Sequence, residues 1–214
     1  GVMEFVYEQS DAAPYLKIMI DENLFPLLKA QVDGKELIIG PKKIKENSRN
    51  GNSYNLQPTK FKVITNSREI KELNVVSSGD FIIASPINIG KLEINMAGSG
   101  NILLEKKVEG NKLEINLASS GSVVASNIDL AGIECSLAGS GYIQIAGKAD
   151  RAEYNLAASG NIKAYECVTG KTECNIAGSG NIQTHTRNQL EANIVGSGNV
   201  YYCLLYTSPS PRDR

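Results

Sequence analysis

The sequence predicts an all-β fold, a right-handed parallel β-helix of about 20-residue rungs with a β-rich N-terminal cap. Three observations predict it. A phrase close to Ala97-Gly98-Ser99-Gly100-Asn101 recurs, with its second glycine at Gly79, Gly100, Gly121, Gly141, Gly160, Gly180 and Gly198, in steps of 21, 21, 20, 19, 20 and 18 residues. A fixed period of this size marks stacked repeats, none of which can bury its apolar face alone. Before each glycine, apolar and polar residues alternate, as in Leu92, Glu93, Ile94, Asn95 and Met96, which is the period of a strand with one buried face. No long stretch has helical period, and tryptophan is absent, which suits a thin core of Leu, Ile, Val and Ala.

Residues 1–68 do not carry the repeat. Residues 3–7 and 15–20 read as strands, and 21–28 as a short helical turn with an acidic start. Residues 31–39 read as a hairpin, because Asp33-Gly34 is a strong turn signal. The polar run 41–58 reads as an exposed loop, and 61–65 as a return to strand. Terminal units of solenoids are atypical because they cover an open core, so this segment is expected to be the cap.

Residues 69–202 are expected to be the stack. Counting back from each repeat glycine gives inward columns such as Leu113/Ile115/Leu117, Ile133/Cys135/Leu137, Ala152/Tyr154/Leu156, Thr172/Cys174/Ile176 and Leu190/Ala192/Ile194. Seven positions before the glycine stands a glutamate every time: Glu72, Glu93, Glu114, Glu134, Glu153, Glu173 and Glu191. Five before it stand Asn74, Asn95, Asn116, Ser136, Asn155, Asn175 and Asn193. Rungs lie about 4.8 Å apart, so these columns form in-register side-chain ladders. Like charges at that spacing repel. Lys91, Lys112, Arg151 and Lys171, two residues before their glutamates on the same outward face, offset that repulsion. The glutamate and asparagine columns are the candidate surface, read either as a charge-balanced wall or as a strip facing cations or glycans.

Residues 203–214 break from the repeat in composition and resemble a translated sequencing adapter, so they are set aside as a non-native tail. The natural chain is therefore expected to continue past residue 202.

The charge is nearly balanced, 22 Lys and Arg against 23 Asp and Glu, which points to no nucleic acid. Cys135 and Cys174 share an inward column two rungs apart, too far for a disulfide, and read as small buried hydrophobes. Cys167 reads as lying in a variable corner, and His185 as a lone surface histidine on a rung edge. No catalytic set, cofactor motif or metal pattern is expected. The column after the repeat glycine, Asp80, Asn101, Ser122, Tyr142, Asn161, Asn181 and Asn199, holds one carboxylate, which argues against a calcium array.

The Ala-Gly-Ser-Gly-Asn-Ile phrase, the Leu-Glu-Ile-Asn lead-in and the segments 21–24 and 37–40 together resemble the head GIN domain family, also called auto-transporter adhesin or a domain of unknown function, abundant in Bacteroidetes. The resemblance covers roughly 5–202. It implies an exported, envelope-associated β-helical protein, in the periplasm, on the outer membrane surface or outside the cell, and transfers no functional residues. The expected function is non-enzymatic adhesion or scaffolding toward a surface ligand, glycan or protein. Two alternatives stand beside it: a polysaccharide-degrading β-helix enzyme, and a structural solenoid that self-associates end to end.

Overall fold

A computed structural model describes residues 2–42 and 58–204, and the 43–57 part of the expected loop and residues 205–214 of the tail lie outside them. The chain opens with β1 (Val2–Gln9), β2 (Leu16–Ile20), a 3-10 turn (Phe25–Leu27), the pair β3 (Leu28–Asp33) and β4 (Glu36–Pro41), and β5 (Lys60–Ser67). The first rungs are built from shorter pieces: β6 (Glu72–Val75), β7 (Asp80–Ile83), β8 (Ile87–Met96), β9 (Asn101–Leu104) and β10 (Val108–Leu117). In later rungs the strand runs on around the corners: β11 (Ser122–Leu137), β12 (Tyr142–Leu156), β13 (Asn161–Gly178), β14 (Asn181–Gly196) and β15 (Asn199–Leu204). The result is a β-solenoid of about seven turns.

Each rung contributes to three parallel faces. Face one stacks Ile102 on Val123 and Val123 on Ile143. Face two stacks Val108 between Ile87 and Ile128. Face three stacks Ile94, Ile115 and Cys135, then Tyr154, Cys174 and Ala192. Alternation sends Leu92, Ile94, Met96, Leu113, Ile115 and Leu117 into the interior, where each is essentially without solvent contact. Burying a side chain of this kind contributes about 1.5–3 kcal/mol, and stacking repeats it on every rung. On the last face-three strand the column ends, and Ile194 is 45% exposed because no described strand pairs beyond it.

The corner glycines are required by closeness. A Cβ on Gly100 would stand 1.9 Å from the carbonyl oxygen of Gly79 one rung below, and one on Gly141 would stand 2.0 Å from that of Gly121. Side chains at this corner would wedge the rungs apart, so the repeat phrase keeps glycine there.

The N-terminal strands pair with the stack on face one, and the Gln9 side chain also reaches face two, donating to Asn88 O and accepting from Asn88 N. β1 lies between β5 and β7 and is parallel to both, with Phe5 opposite Val63 on one side and Phe81 on the other. β2 then closes the sheet antiparallel to β5. The hairpin β3–β4 forms with Asp33 opposite Glu36, and Gly34 at φ 60 takes the first central position of its turn. The 3-10 turn is shorter than the expected helical turn and starts at Phe25, because Pro26 suits a helix start and the next residue, Leu28, is already extended. Leu28, Phe61 and Val63 make a second small core, against which Met3, Phe5, Ile18, Ile20 and Ile39 pack.

A ladder face and its groove

Face three places the expected columns side by side in strict register. Glu72, Glu93, Glu114, Glu134, Glu153, Glu173 and Glu191 are successive partners, as are Asn74, Asn95, Asn116, Ser136, Asn155, Asn175 and Asn193. The backbone sets this: a parallel strand that keeps Ile94, Ile115 and Cys135 inward must keep the residues between them outward.

The asparagine column is hydrogen-bonded along the stack. Asn95 Nδ2 donates to Asn74 Oδ1 (3.0 Å), Asn116 Nδ2 to Asn95 Oδ1 (2.9 Å), Asn175 Nδ2 to Asn155 Oδ1 (3.0 Å) and Asn193 Nδ2 to Asn175 Oδ1 (3.0 Å). Several of these amides also donate to the glutamate of their own rung, as Asn95 does to Glu93 and Asn175 to Glu173. A second ladder runs on face one, where Asn101 Nδ2 donates to Asp80 Oδ1, Asn181 to Asn161 and Asn199 to Asn181. The one carboxylate of that column is thus held by its neighbour's amide.

The charges on face three divide it in two. In the first half each lysine reaches the glutamate of its own rung and of the next: Lys91 to Glu93 (3.3 Å) and Glu114 (3.0 Å), Lys112 to Glu114 (3.5 Å) and Glu134 (2.7 Å). The Lys91 ammonium, then Lys112, hold the Glu114 carboxyl below its ordinary range. Lys112 is raised, chiefly by Glu134, and Lys91 chiefly by Glu114. In the second half the cation column continues through Arg151 and Lys171, and neither makes an ion pair among the described residues. Between the halves, Gly132 stands where Lys112 and Arg151 stand in the neighbouring rungs, and Ser136 stands where they carry asparagine. A shallow groove of about 490 Å³ opens there, bordered by Lys112, Glu134, Arg151, Glu153, Lys171 and Glu191. The columns were visible in the sequence; the groove between the basic and acidic columns was not.

Cys167 lies at the variable second corner, where the register shifts between Ala164 and Val168, and is fully buried there on β13 opposite Gly147, where it meets Tyr154 across the thin core. One expectation is corrected by the structure. His185 is not on the surface: it is half-buried, its Nε2 is fully enclosed without a hydrogen-bond partner, and its carbonyl accepts from Thr169 Oγ1 (3.0 Å). Thr169, Thr172 and Thr186 form a buried hydroxyl cluster beside it. Cys135 and Cys174 flank Tyr154 in one column, as expected of small buried hydrophobes. Burial pushes the Cys167 thiol up to about 11 and the Cys174 thiol up to about 12. Among the described residues, no group of three His, Cys, Asp or Glu side chains converges as a metal site, and no helix is long and apolar enough to cross a membrane.

The chain matches the family described as "Putative auto-transporter adhesin, head GIN domain" twice, over residues 1–108 and 98–203. It is similar to a solved structure named a putative lipid binding protein from Parabacteroides distasonis ATCC 8503, at 47% identity and a TM-score of 0.88 over 95% of this chain and 89% of that one. It is also similar to a putative adhesin from Parabacteroides merdae ATCC 43184, at 30% identity and a TM-score of 0.79 over 95% and 89% of the two chains. A putative adhesin from Parabacteroides distasonis ATCC 8503 has 27% identity and a TM-score of 0.82 over 95% and 90%. No protein of curated function matches.

Proposed function

The chain belongs to the head GIN domain family, and from that premise we propose that it is a non-enzymatic, exported module of the cell envelope that binds a surface ligand in the manner of an adhesin. The observation that carries this is the face-three ladder. Glu93, Glu114, Glu134, Glu153, Glu173 and Glu191 run beside Asn95, Asn116, Asn155, Asn175 and Asn193 in one register, a rigid polar lattice suited to repetitive contact. The names of the adhesin neighbours support it. The test is retention of the purified protein on intact bacterial envelopes, mucin and matrix protein. A variant with Glu153→Gln, Glu173→Gln and Arg151→Gln should lose retention while keeping its circular dichroism, and a face-two variant, Lys148→Gln, should keep both. No retention on any surface, or undiminished retention of the face-three variant, would overturn the proposal.

A second reading follows the name of the lipid-binding neighbour, which is 47% identical. In the cap, Ile18, Ile20, Phe25 and Pro26 line a largely apolar hollow of about 690 Å³ that Asp21, Glu22 and Lys60 border. Phe25 is 59% exposed beside it. On this reading the hollow takes an acyl chain. Flotation with neutral phosphatidylcholine vesicles that is lost in Phe25→Ser would support it, and failure of the wild-type protein to float would dismiss it.

A further inference from the structure

Gly132 has no reason in the fold. Its φ lies outside the left-handed region, and a Cβ added to it would meet nothing within 4 Å, unlike Gly100 or Gly141, whose Cβ atoms would strike the rung below. A glycine inside a strand costs about 0.5–1 kcal/mol against alanine. Here it also breaks a column that reads Lys91, Lys112, Gly132, Arg151, Lys171. The cost falls between Lys112 and Arg151, which both line the groove of face three.

The groove has two rails. Arg151 and Lys171 form one, and Glu153, Glu173 and Glu191 form the other, two residues further along each strand. Guanidinium and ammonium groups only donate hydrogen bonds, and ionised carboxylates only accept them. An anionic ligand meets three carboxylates, and a cationic one meets the arginine and the lysine. A polyol meets neither obstacle, because every hydroxyl both donates and accepts and can bridge the rails. The rails repeat at the strand spacing of about 4.8 Å, close to the advance of one pyranose in an extended chain. From Lys112 to Gln189 the groove crosses four such spacings, roughly 19 Å.

We propose that the groove at Gly132 is a binding site for an uncharged linear glycan, which lies along the solenoid axis with one sugar per rung between the Arg151–Lys171 rail and the Glu153–Glu173–Glu191 rail. This rests on the surface-binding reading above and names its ligand class. Ile133, Ala152 and Thr172 line the groove between the rails, and Gly132, in register between Lys112 and Arg151, adds no side chain to its basic edge.

The experiment titrates the full chain with cellohexaose, chitohexaose and mannohexaose by calorimetry, alongside cellobiose and a heparin fragment. At least one hexaose should bind, more than tenfold tighter than the disaccharide. Its affinity should change less than twofold between low and high salt, and the heparin fragment should not bind. Gly132→Lys adds a long side chain between Lys112 and Arg151 at the groove's basic edge and restores the charge column, so it should lower hexaose affinity at least tenfold with a melting temperature equal to or above wild type. If that variant fails to fold, Arg151→Gln with Lys171→Gln must show the same loss. Binding that survives these substitutions overturns the site. Absence of hexaose binding overturns the glycan, and retention on envelopes in that case leaves the broader reading standing.

Discussion

Gly100→Ala separates a corner set by rung contact from a corner set by turn preference. The added Cβ would stand 1.9 Å from the Gly79 carbonyl oxygen and 2.7 Å from its carbon, both of them backbone atoms of the rung below. A flexible side chain could swing away from such a contact, but a backbone held in a parallel ladder cannot. Relief requires the two rungs to part at this corner by more than an ångström. That strains the bond between them from Asn101 N to Asp80 Oδ1 (3.1 Å). Overpacking costs about 1–3 kcal/mol, and losing one hydrogen bond adds about 1 kcal/mol. The sum of about 2–4 kcal/mol corresponds to a melting temperature lower by roughly 4–16 °C. The matched control is Gly132→Ala, whose Cβ meets open space and which should hold or gain about 0.5–1 kcal/mol. Urea and thermal unfolding followed by circular dichroism measure both. If Gly100→Ala matches wild type within about 0.5 kcal/mol, or if the two alanines behave alike, contact between rungs is not what selects the repeat glycines.

The remaining predictions concern the ladder and the core. Glu114 titrates below its ordinary value of 4.5 when folded, so its contribution to stability is fully present above about pH 4.5 and is lost as pH falls through the lowered value. Lys91 and Lys112 titrate above 10.5, so theirs is fully present below pH 10.5 and is lost as pH rises through the raised values. Glu114→Gln should therefore flatten the acid limb of the stability profile, and an unchanged limb would count against the pairing. Asn175→Ala removes the links to both Asn155 and Asn193 and should cost about 1–2 kcal/mol in urea unfolding; no loss would mean that water replaces the ladder fully. Tyr154→Phe deletes a fully buried hydroxyl without a partner, so stability should stay level or rise by about 1 kcal/mol. A fall of more than about 1 kcal/mol would mean that the hydroxyl is bonded after all.

The repeat made the stack legible because register leaves it little choice. Once Ile94, Ile115 and Cys135 are inward, the glutamates and asparagines between them must share one outer face. The same logic placed Cys135 and Cys174 around Tyr154. It fails where contacts join residues distant in sequence without a period. Nothing in residues 2–9 announces that they lie between residues 60–67 and 80–83, because that pairing is long-range and pattern-free. The burial of Cys167 and the enclosure of the His185 ring were not legible because the second corner varies in length: the register shifts between Ala164 and Val168, so counting from the repeat glycine loses its phase there. The ladder was visible as columns of letters. Its division was not, since which lysine reaches which glutamate depends on side-chain direction, as does the groove left beside Arg151 and Lys171.

Strict register between rungs underlies the core, the ladders and the groove, and disulfide trapping on face one tests it most directly. Gln144 and Lys163 are outward partners on adjacent rungs, so their Cα atoms should lie about 4.8 Å apart, within disulfide reach. Asn161 lies two residues off that register, which places it roughly 8 Å from Gln144 and beyond reach. Under mild oxidation, Gln144→Cys with Lys163→Cys should cross-link within the monomer, and Gln144→Cys with Asn161→Cys should not. Cross-linking of the offset pair in preference to the aligned one would contradict the stack described here.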